Sequence, residues 1–285
     1  MIYEFRELTR EDIPAIAEIA SYMPSFFQNI LEYAESLMDN PDCYYFGMFQ
    51  DSTLLGVGNL RRKTAKFAWL ESVRVAPNNQ QKGIGTALFN HGVQKAKEEN
   101  FPIIAYATDV NNQGSCSIGK KLGFKLVAEM KPLWIKIDDQ KLNALKKIEQ
   151  KPISIDEAID LLNNIPNPPI DEISLGWKYA PLDKEYLTEK LDMRFYVIEK
   201  TILLEFKDRD MNTNEIHSTR AIIYGSKKHV KELLLGFIYR NASQEYLYCN
   251  IDEKLEHIPK ELGFANSIES ENLVNKVVLW KLKLD

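Results

Sequence analysis

The chain has 285 residues, of which 45% are apolar and 27% charged, the composition of a globular protein that can bury a core. Its length fits one large domain or two ordinary domains, with two favoured. The net charge of -5 argues against nucleic acid and anionic membrane surfaces as partners.

The cysteines and histidines argue against a disulfide-rich protein and against a metal-binding protein. Cys43, Cys116 and Cys249 are too scattered for a disulfide framework, and the four histidines lie far from them and from one another. We therefore expect no metal site. The N-terminus has no apolar signal core, and no apolar run is long enough to span a membrane. These features predict a reduced, cytoplasmic protein without a membrane partner.

The first part of the sequence alternates between strand and helix patterns. Residues 2–8 alternate as a strand, and Thr9 is a plausible N-cap for the helix that follows. Residues 21–38 are aromatic and proline-broken, which favours two short helices around a turn. Three strands are predicted next, at 43–50, 53–63 and 66–75, the first two joined as a hairpin at Asp51–Ser52.

A glycine loop, QQKGIG at residues 80–85, follows the third strand and leads into a helix that reaches about Glu99. The apolar run at 102–110 predicts a central strand covered on both faces. A helix at 112–124 should end at Gly123, followed by two strands that finish near residue 137. This order predicts one α/β domain with a mixed sheet over residues 1–138.

The pattern of the first part returns after residues 139–174, which we interpret as a helical and proline-rich linker. The clearest match is LGF followed by a tryptophan-containing strand, at 259–284 and again at 119–137. We interpret 175–285 as a diverged copy of the first domain. The alternatives are coincidence in common α/β patterning and an unrelated α+β domain.

The glycine loop has the chemistry of a phosphate cradle. A helix N-terminus exposes unpaired N–H groups with partial positive charge, and glycines let phosphate oxygens approach them. Leu88 stands where a dinucleotide fingerprint needs its third glycine, and no Gly-Lys-Ser/Thr follows as in a P-loop. A tight turn without a ligand is the structural alternative.

Two motifs resemble the GNAT (Gcn5-related N-acetyltransferase) family. Gln80-x-x-Gly83-x-Gly85, directly after a strand that ends in Val73-Arg74-Val75-Ala76-Pro77, is similar to the family's acyl-CoA pyrophosphate loop. A second family signature lies downstream, in the helix of residues 112–124. Its matching residues are Asn112, Ser115, Lys121, Gly123 and Phe124. The resemblance covers residues 1 to about 138.

The resemblance implies an acyl-CoA N-acyltransferase fold that uses acetyl-CoA as co-substrate, with no metal. It implies direct attack by an amine, of a small molecule or a protein, within a ternary complex. It does not specify an oligomeric state. The residues expected to contact the cofactor are Val73, Val75, Gln80, Gln81, Lys82, Gly83, Ile84, Gly85, Thr86, Asn112 and Ser115. By analogy with the family, Tyr22–Tyr33 is the candidate for one wall of the acceptor pocket.

The expected catalytic residues are Glu71 and Ser115. Glu71 lies two residues before Val73, which predicts a common face, and it matches the family's acidic position for a base. The alternative for Glu71 is an exposed carboxylate or an ion-pair partner. Gly119 stands where many members place a tyrosine acid, so Ser115, Ser117 or Tyr106 would have to substitute, although each also suits a core or CoA-contacting role.

The second half has no equivalent of the glycine loop. At the corresponding place stands Gly225, followed by Lys227, Lys228 and His229 without a second glycine. We therefore expect one CoA site per chain and a degenerate second half, as in tandem members of the family. The alternative function is a non-catalytic acyl-CoA-binding or interaction module.

Overall fold

The computed structural model describes residues 3–21, 30–138, 142–143, 148–165, 172–174, 179–190, 193–209, 216–266, 268–269, 272–273 and 276–284. Contacts divide the chain into two compact units. The N-terminal unit comprises Met1–Val127, Glu269–Asn272 and Leu279–Asp285, and the C-terminal unit comprises Ala128–Ile268 and Leu273–Val278. The fold is mixed α/β, which confirms the predicted fold class.

The N-terminal unit is built on a mixed sheet whose first five strands lie in chain order. They are β1 (Glu4–Glu7), β2 (Cys43–Gln50), β3 (Thr53–Thr64), β4 (Phe67–Val75) and β5 (Ile103–Asp109). Neighbours pair antiparallel except β4 and β5, which are parallel. The predicted β2–β3 hairpin is confirmed: Asp51 and Ser52 have φ of 47° and 67°, the left-handed conformation that matches strand twist in a two-residue turn.

Helices cover both faces of this sheet. They are α1 (Ile13–Ser21), α2 (Ile30–Asp39), α3 (Ile84–Glu98) and α4 (Gln113–Lys121). Tyr45 packs in a core with Ile16 and Leu37 from α1 and α2. Its neighbour Tyr44 hydrogen-bonds His91 of α3 at 3.2 Å. Because successive strand residues point to opposite faces, α3 lies on the other side of the sheet from α1 and α2.

The helix boundaries follow the capping residues. Thr9 precedes a 3₁₀ turn at Arg10–Asp12, and the Asp12 carboxylate accepts a hydrogen bond of 2.9 Å from the Thr9 N–H. Gly123 follows α4 with φ of 86°, the left-handed position predicted for it. The side chains of the candidate pocket wall, Tyr22–Tyr33, lie outside the described residues.

The end of the first domain differs from the prediction. The two strands expected before residue 137 are one continuous strand, β6 (Lys125–Lys136), because the backbone of Pro132 fits an extended strand and lacks only the N–H donor. From Ala128 onward β6 belongs to the C-terminal unit, whereas the predicted boundary was residue 138. Sequence patterning cannot show which non-local partner a strand pairs with.

The remaining elements lie wholly or partly in the C-terminal unit. They are β7 (Pro152–Ile153), α5 (Ile155–Asn164), β8 (Glu172–Ser174), β9 (Tyr179–Pro181), β10 (Arg194–Ile198), β11 (Thr201–Arg209), β12 (Ile216–Gly225), α6 (Val230–Arg240), β13 (Tyr246–Ile251), α7 (His257–Glu261), β14 (Ala265–Asn266), β15 (Ile268–Glu269), β16 (Asn272–Leu273) and β17 (Val277–Lys283). Its sheet has the order β6-β13-β12-β11-β10-β7. The end of β17, from Leu279, belongs to the N-terminal unit, where the Leu284 N–H donates to the Pro102 carbonyl at 2.9 Å.

The series β10–β11–β12–α6–β13–α7 has the same order as β2–β3–β4–α3–β5–α4. The parallel pair also recurs, since β12 and β13 run parallel as β4 and β5 do. Gly263 follows α7 with φ of 92°, as Gly123 follows α4. The C-terminal unit therefore has the architecture expected of a diverged copy.

Helix α5 is an element that the sequence analysis placed in the linker. Ser154 and Glu157 form a capping box at its N-terminus, and Ala158 and Leu162 are fully buried. The pattern Ser-x-x-Glu before an apolar stripe would have predicted this helix. The segment was interpreted as part of a linker because several prolines follow it, and proline-rich stretches are typical of linkers.

Candidate active site

The parallel strands β4 and β5 separate after a short paired segment. Their paired residues are Phe67–Ile103, Ala68–Ile104 and Trp69–Ala105. Beyond these pairs the later residues of both strands line one cavity of about 790 Å³. A gap between strands leaves backbone N–H and C=O groups open to hydrogen bonding by an extended ligand.

A β-bulge lies in β4 at the start of this gap. Glu71 pairs with Asn59 and Arg74 with Val57, so β4 has one more residue than β3 between these pairs. Ser72 has φ of 56°, a left-handed conformation that is uncommon outside glycine. The extra residue puts Arg74 on the face of Glu71. The prediction that Val73 shares that face is therefore wrong, because simple alternation fails across a bulge.

The cavity brings most of the predicted site residues together. It is lined by segments 70–75 and 106–108, by the glycine loop and by the first turns of α3 and α4. The predicted residues among its lining are Glu71, Val73, Val75, Gln80, Gln81, Gly83, Gly85, Thr86, Asn112 and Ser115. Residues that the motifs spread over more than forty positions thus meet in one cleft.

Lys82 and Ile84 do not line the cavity. The Lys82 side chain is exposed and its Nζ lies 3.4 Å from Oδ1 of Asn79. The Ile84 side chain is buried in the core. The Lys82 side chain thus faces solvent and the Ile84 side chain faces the core, so for Ile84 the predicted contact with the cofactor would be made by the backbone N–H.

The glycine loop has the backbone geometry of an anion cradle. Gly83 has φ of 84° and is the N-cap of α3, with no side chain capping the helix. A β-carbon on Gly83 would meet no atom within 4 Å, so the space above this residue is open. A β-carbon on Gly85 would lie 3.3 Å from Ile118 Cδ1, so this position is close to its neighbours. The first N–H groups of α3 thus face an open cavity at the positive end of the helix.

The start of α4 forms the opposite wall. Asn112 is its N-cap, and its Oδ1 accepts a hydrogen bond of 3.1 Å from the Ser115 N–H. Ser115 is half-buried and lines the cavity. The Asn112 side chain therefore has a structural task in addition to any contact with a ligand.

Glu71 is held by two donors. Arg61 Nε donates to Glu71 Oε1 at 2.7 Å, and Asn59 Nδ2 donates to the same oxygen at 3.0 Å. Glu71 also lines the cavity, so it is an ion-pair partner with one side toward the cleft. Sequence reasoning missed Arg61 and Asn59, although their spacing of two on β3 places them on one face.

Comparison with known families gives the decisive observation. Residues 2–124 match the model of the acetyltransferase (GNAT) family. This segment is a GNAT domain. It covers β1 to the end of α4 and includes the glycine loop and all the predicted site residues.

Two solved structures share the fold over nearly the whole chain. A presumed acetyltransferase from Thermoplasma acidophilum aligns with a TM-score of 0.57 at 12% identity, covering 100% of both chains. Another from Pyrococcus horikoshii aligns with a TM-score of 0.57 at 18% identity, covering 99% of this chain and 90% of that one. No curated protein matches the chain at a significant level.

The GNAT domain has no tyrosine on α4 at the family's acid position, and the structure gives a reason. Tyr106 of β5 places its hydroxyl where a β-carbon on Gly119 would be. That hydroxyl donates to the Ser115 carbonyl at 2.9 Å, and burial raises the pKa of Tyr106. Tyr106 is thus a buried residue that positions α4, with a phenol that holds its proton.

In its described residues the C-terminal unit differs from the GNAT domain in the features that build the cavity, and the register of β11 and β12 shifts only between Asp208 and Arg209. The register between β11 and β12 is continuous from Thr201–Gly225 to Asp208–Ser218, without a bulge. A β-carbon on Gly225 would overlap the Lys200 carbonyl, so this glycine serves a close backbone approach. Of the β12 residues that pair with β13, Ala221 and Ile222 are buried and apolar.

Two residues of the basic cluster in the C-terminal unit, Lys228 and His229, pair with carboxylates. Lys228 Nζ lies 3.1 Å from Oε1 of Glu199, and His229 lies within 2.6 Å of Glu232 and 3.2 Å of Glu199. The interpretation of this helix start as a surface feature fits these pairs better than an anion site does.

The described part of the chain has neither a membrane-spanning helix nor a cluster of metal ligands. No helix there is both long and apolar enough to cross a membrane. No three side chains among histidine, cysteine, aspartate and glutamate are placed there to hold a metal ion together.

Proposed function

We propose that the chain is an acetyl-CoA-dependent N-acetyltransferase that transfers the acetyl group to a primary amine by direct attack in a ternary complex. One observation carries the proposal. The strand gap with its bulge, the open N-terminus of α3 and the carboxylate of Glu71 all border a single cavity of about 790 Å³. Each of the three suits a different part of this reaction.

The residues around the glycine loop fit the pyrophosphate of acetyl-CoA. The N–H groups of Gly83, Ile84 and Gly85 would bind phosphate oxygens, supported by the partial positive charge of α3. The open space above Gly83 supports this assignment, because a side chain there would occupy the place of an oxygen. Gln80 and Thr86 line the same end of the cavity and would add side-chain contacts.

The gap between β4 and β5 fits the pantetheine arm, which carries amide groups along an extended chain. Backbone groups of Val73 and Val75 would pair with it as an added strand. The bulge at Ser72 turns backbone N–H groups out of the regular ladder. An N–H directed at the thioester carbonyl would stabilise the oxyanion that forms during attack.

Glu71 would act as the base. The amine nitrogen attacks the acetyl carbon, the C–N bond forms, the C–S bond breaks, and CoA leaves as a thiolate. Glu71, directly or through a water, accepts the proton that the nitrogen loses. Ser115 borders the cavity and is our candidate donor to the leaving sulfur, since Tyr106 is engaged and position 119 has no side chain.

A second candidate function follows from the same residues. Glu71 is already paired with Arg61, and Gly119 leaves the family's acid position empty. Both features would suit a domain that binds acyl-CoA without turning it over. The C-terminal unit, whose described residues differ from the GNAT domain in these features, would then present the complex to a partner.

The test combines binding and turnover on the full chain. Acetyl-CoA binding is measured by calorimetry, and CoA release by DTNB across a panel of small amines and amino-terminal peptides. The enzyme predicts release that depends on one class of amine and falls in Glu71→Gln. Strong acetyl-CoA binding with no release on any amine would support the binding module instead. Absence of binding would contradict both.

A further inference from the structure

The Glu71 carboxylate lies in a polar cluster on the α1–α2 face of the sheet, and the strand register builds this cluster. Asn59 is the direct cross-strand partner of Glu71, and Arg61 is the partner of Trp69, two residues away. Direct partners on one face are about 5 Å apart at Cβ, and long side chains reach the diagonal neighbour. The hydrogen bonds from Asn59 and Arg61 are therefore consequences of pairing.

Because the cluster is largely buried, the loss of one of its polar contacts has a large free-energy cost. The side chains of Arg61 and Glu71 are each 15% exposed, and Asn59 is 0% exposed. Exposed ion pairs contribute little, but removing one partner of a largely buried pair leaves a charge without compensation. The state of the carboxylate thus depends on these neighbours more than on solvent.

We propose that Arg61 and Asn59 are positioning residues that keep Glu71 ionised and oriented for proton transfer from the acceptor. The inference rests on the proposed function, in which Glu71 accepts that proton. Both donors bind one oxygen, Oε1, which fixes the torsion of the carboxylate. A base must be ionised before it can accept a proton, and a guanidinium at this distance favours the ionised form.

The two donors have different tasks. Arg61 supplies charge, while Asn59 supplies a neutral N–H whose direction is set by burial. Asn59 Nδ2 also lies 3.6 Å from the sulfur of Cys43, so the amide plane is held by two neighbours. A buried amide constrained in this way cannot follow Glu71 to another rotamer.

Three further charged or titratable groups among the described residues lie near Glu71 on the strands, and none of them adds a negative charge. Lys63 of β3 interacts electrostatically with the Glu71 carboxylate. Burial lowers the pKa of Lys63, and this carboxylate raises it. Arg74 of β4 lies on the same face as Glu71. Burial raises the pKa of the Cys43 thiol on β2, which keeps this neighbour uncharged. The cationic surroundings favour ionised Glu71 and disfavour an acceptor that arrives as an ammonium ion.

The test is Arg61→Met, which keeps an unbranched apolar side chain in place of the arginine stem and removes the charged guanidinium. The matched control is Arg62→Met on the same strand. Arg62 points to the other face, where it pairs with Glu99 at 3.2 Å. Acetyl-CoA affinity by calorimetry checks that each variant folds, because the glycine loop is untouched. Arg61→Lys restores a charge without the guanidinium geometry.

The first readout does not need turnover. Glutamate labelled with ¹³C at Cδ is titrated by NMR, and the Glu71 signal is assigned from its loss in Glu71→Gln. We expect the titration midpoint of Glu71 to rise by about one pH unit or more in Arg61→Met. Arg62→Met should leave the midpoint in place, and Arg61→Lys should recover part of the shift.

The second readout is the pH profile of kcat/KM for the amine. Its acid limb should move to higher pH in Arg61→Met by the same amount as the NMR midpoint, while the KM for acetyl-CoA changes less than about threefold. Asn59→Leu should lower kcat near neutral pH with a smaller movement of the acid limb. The comparison of the two variants thus separates the effect of Asn59 on the orientation of Glu71 from the effect of Arg61 on its ionisation.

The outcomes distinguish this inference from the proposed function. An unchanged midpoint and acid limb in Arg61→Met, together with a large loss of kcat in Glu71→Gln, would overturn the inference and leave the enzyme in place. Full activity of Glu71→Gln would overturn it as well, since nothing would then need positioning. Absence of turnover on every amine would refute the proposed function, whereas the NMR midpoint would still decide whether Arg61 holds Glu71 ionised.

Discussion

The hydroxyl of Tyr106 occupies the space that a β-carbon on Gly119 would need, and it donates to the Ser115 carbonyl at 2.9 Å. The two positions therefore exclude each other: β5 carries the large side chain and α4 carries none. We expect Gly119→Ala to destabilise the chain by about 1–3 kcal/mol, because an added methyl overpacks a filled site. Urea denaturation of the full chain measures this change.

The control for that substitution is Gly114→Ala in the same helix. Gly114 is exposed, and its added β-carbon would meet only Asn112 Oδ1 at 3.7 Å. Alanine there should be neutral or slightly stabilising. Tyr106→Phe in the Gly119→Ala background should recover part of the loss, so the double mutant is less destabilised than the sum of the single changes. Simple additivity would show that the hydroxyl is not the obstacle.

Gly85→Glu should abolish acetyl-CoA binding. Its side chain would enter the cavity at the N-terminus of α3, where the phosphates are proposed to bind. Two like charges about 4 Å apart repel by about 4 kcal/mol at an effective dielectric constant of about 20, which predicts more than a hundredfold loss of affinity. Calorimetry measures this loss.

Lys82→Glu is the matched control for Gly85→Glu, because Lys82 is exposed and outside the cavity lining. Solvent and salt screen its charge, so the affinity should change by less than about fivefold at physiological ionic strength. Equal losses in both variants would mean that general charge, not the cradle geometry, controls binding. Unchanged affinity in Gly85→Glu would refute the proposed phosphate site.

We expect the buried His91 to lower the free energy of unfolding in mild acid. Its ring stacks on Phe5 at a centroid distance of 4.3 Å, and burial lowers the pKa of His91 in the folded state. The unfolded chain then binds more protons than the folded one as the pH falls through about 6.5, so stability decreases there. His91→Gln should flatten this part of the curve of unfolding free energy against pH. An unchanged slope would contradict the assignment.

For His229 we expect the opposite dependence of stability on pH. Its hydrogen bond with Glu232, and a further one with Glu199, raise the pKa of His229. The stabilising contribution is complete below the unfolded value of about 6.5 and is lost as the pH rises through the raised folded value. His229→Gln should therefore remove a loss of stability on the alkaline side. The pKa shifts of His229 and His91 have opposite directions, so each variant serves as a control for the other.

Trp280 links the end of the chain to the site in the N-terminal unit. Its ring stacks on Tyr106, with an interplanar angle of 9°, and its residue is 5% exposed. Trp280→Ala should cost about 3–5 kcal/mol and speed hydrogen exchange in β5, where the cavity wall begins. Trp134→Ala, at the matching place of the repeat but in the C-terminal unit, should leave exchange in β5 unchanged.

Elements with strong local signals could be predicted from sequence. The β2–β3 hairpin, the helix after the glycine loop and the left-handed Gly123 follow from turn and capping chemistry. The α5 helix had an equally local signal in Ser154 and Glu157, and prolines further on obscured it. Local rules hold here because each depends on hydrogen bonds within a few residues of the chain.

The sequence by itself indicated the GNAT resemblance of residues 2–124, which the family comparison supports, and it predicted a phosphate cradle at the glycine loop, because glycine spacing and helix termini are local properties. Tertiary structure alone decided the rest. The bulge that separates the faces of Glu71 and Val73, the pairing of Glu71 with Arg61, and the hydroxyl of Tyr106 beside Gly119 depend on strand register. Register is set by packing of whole faces between distant segments, and a sequence motif carries no record of which partner lies opposite.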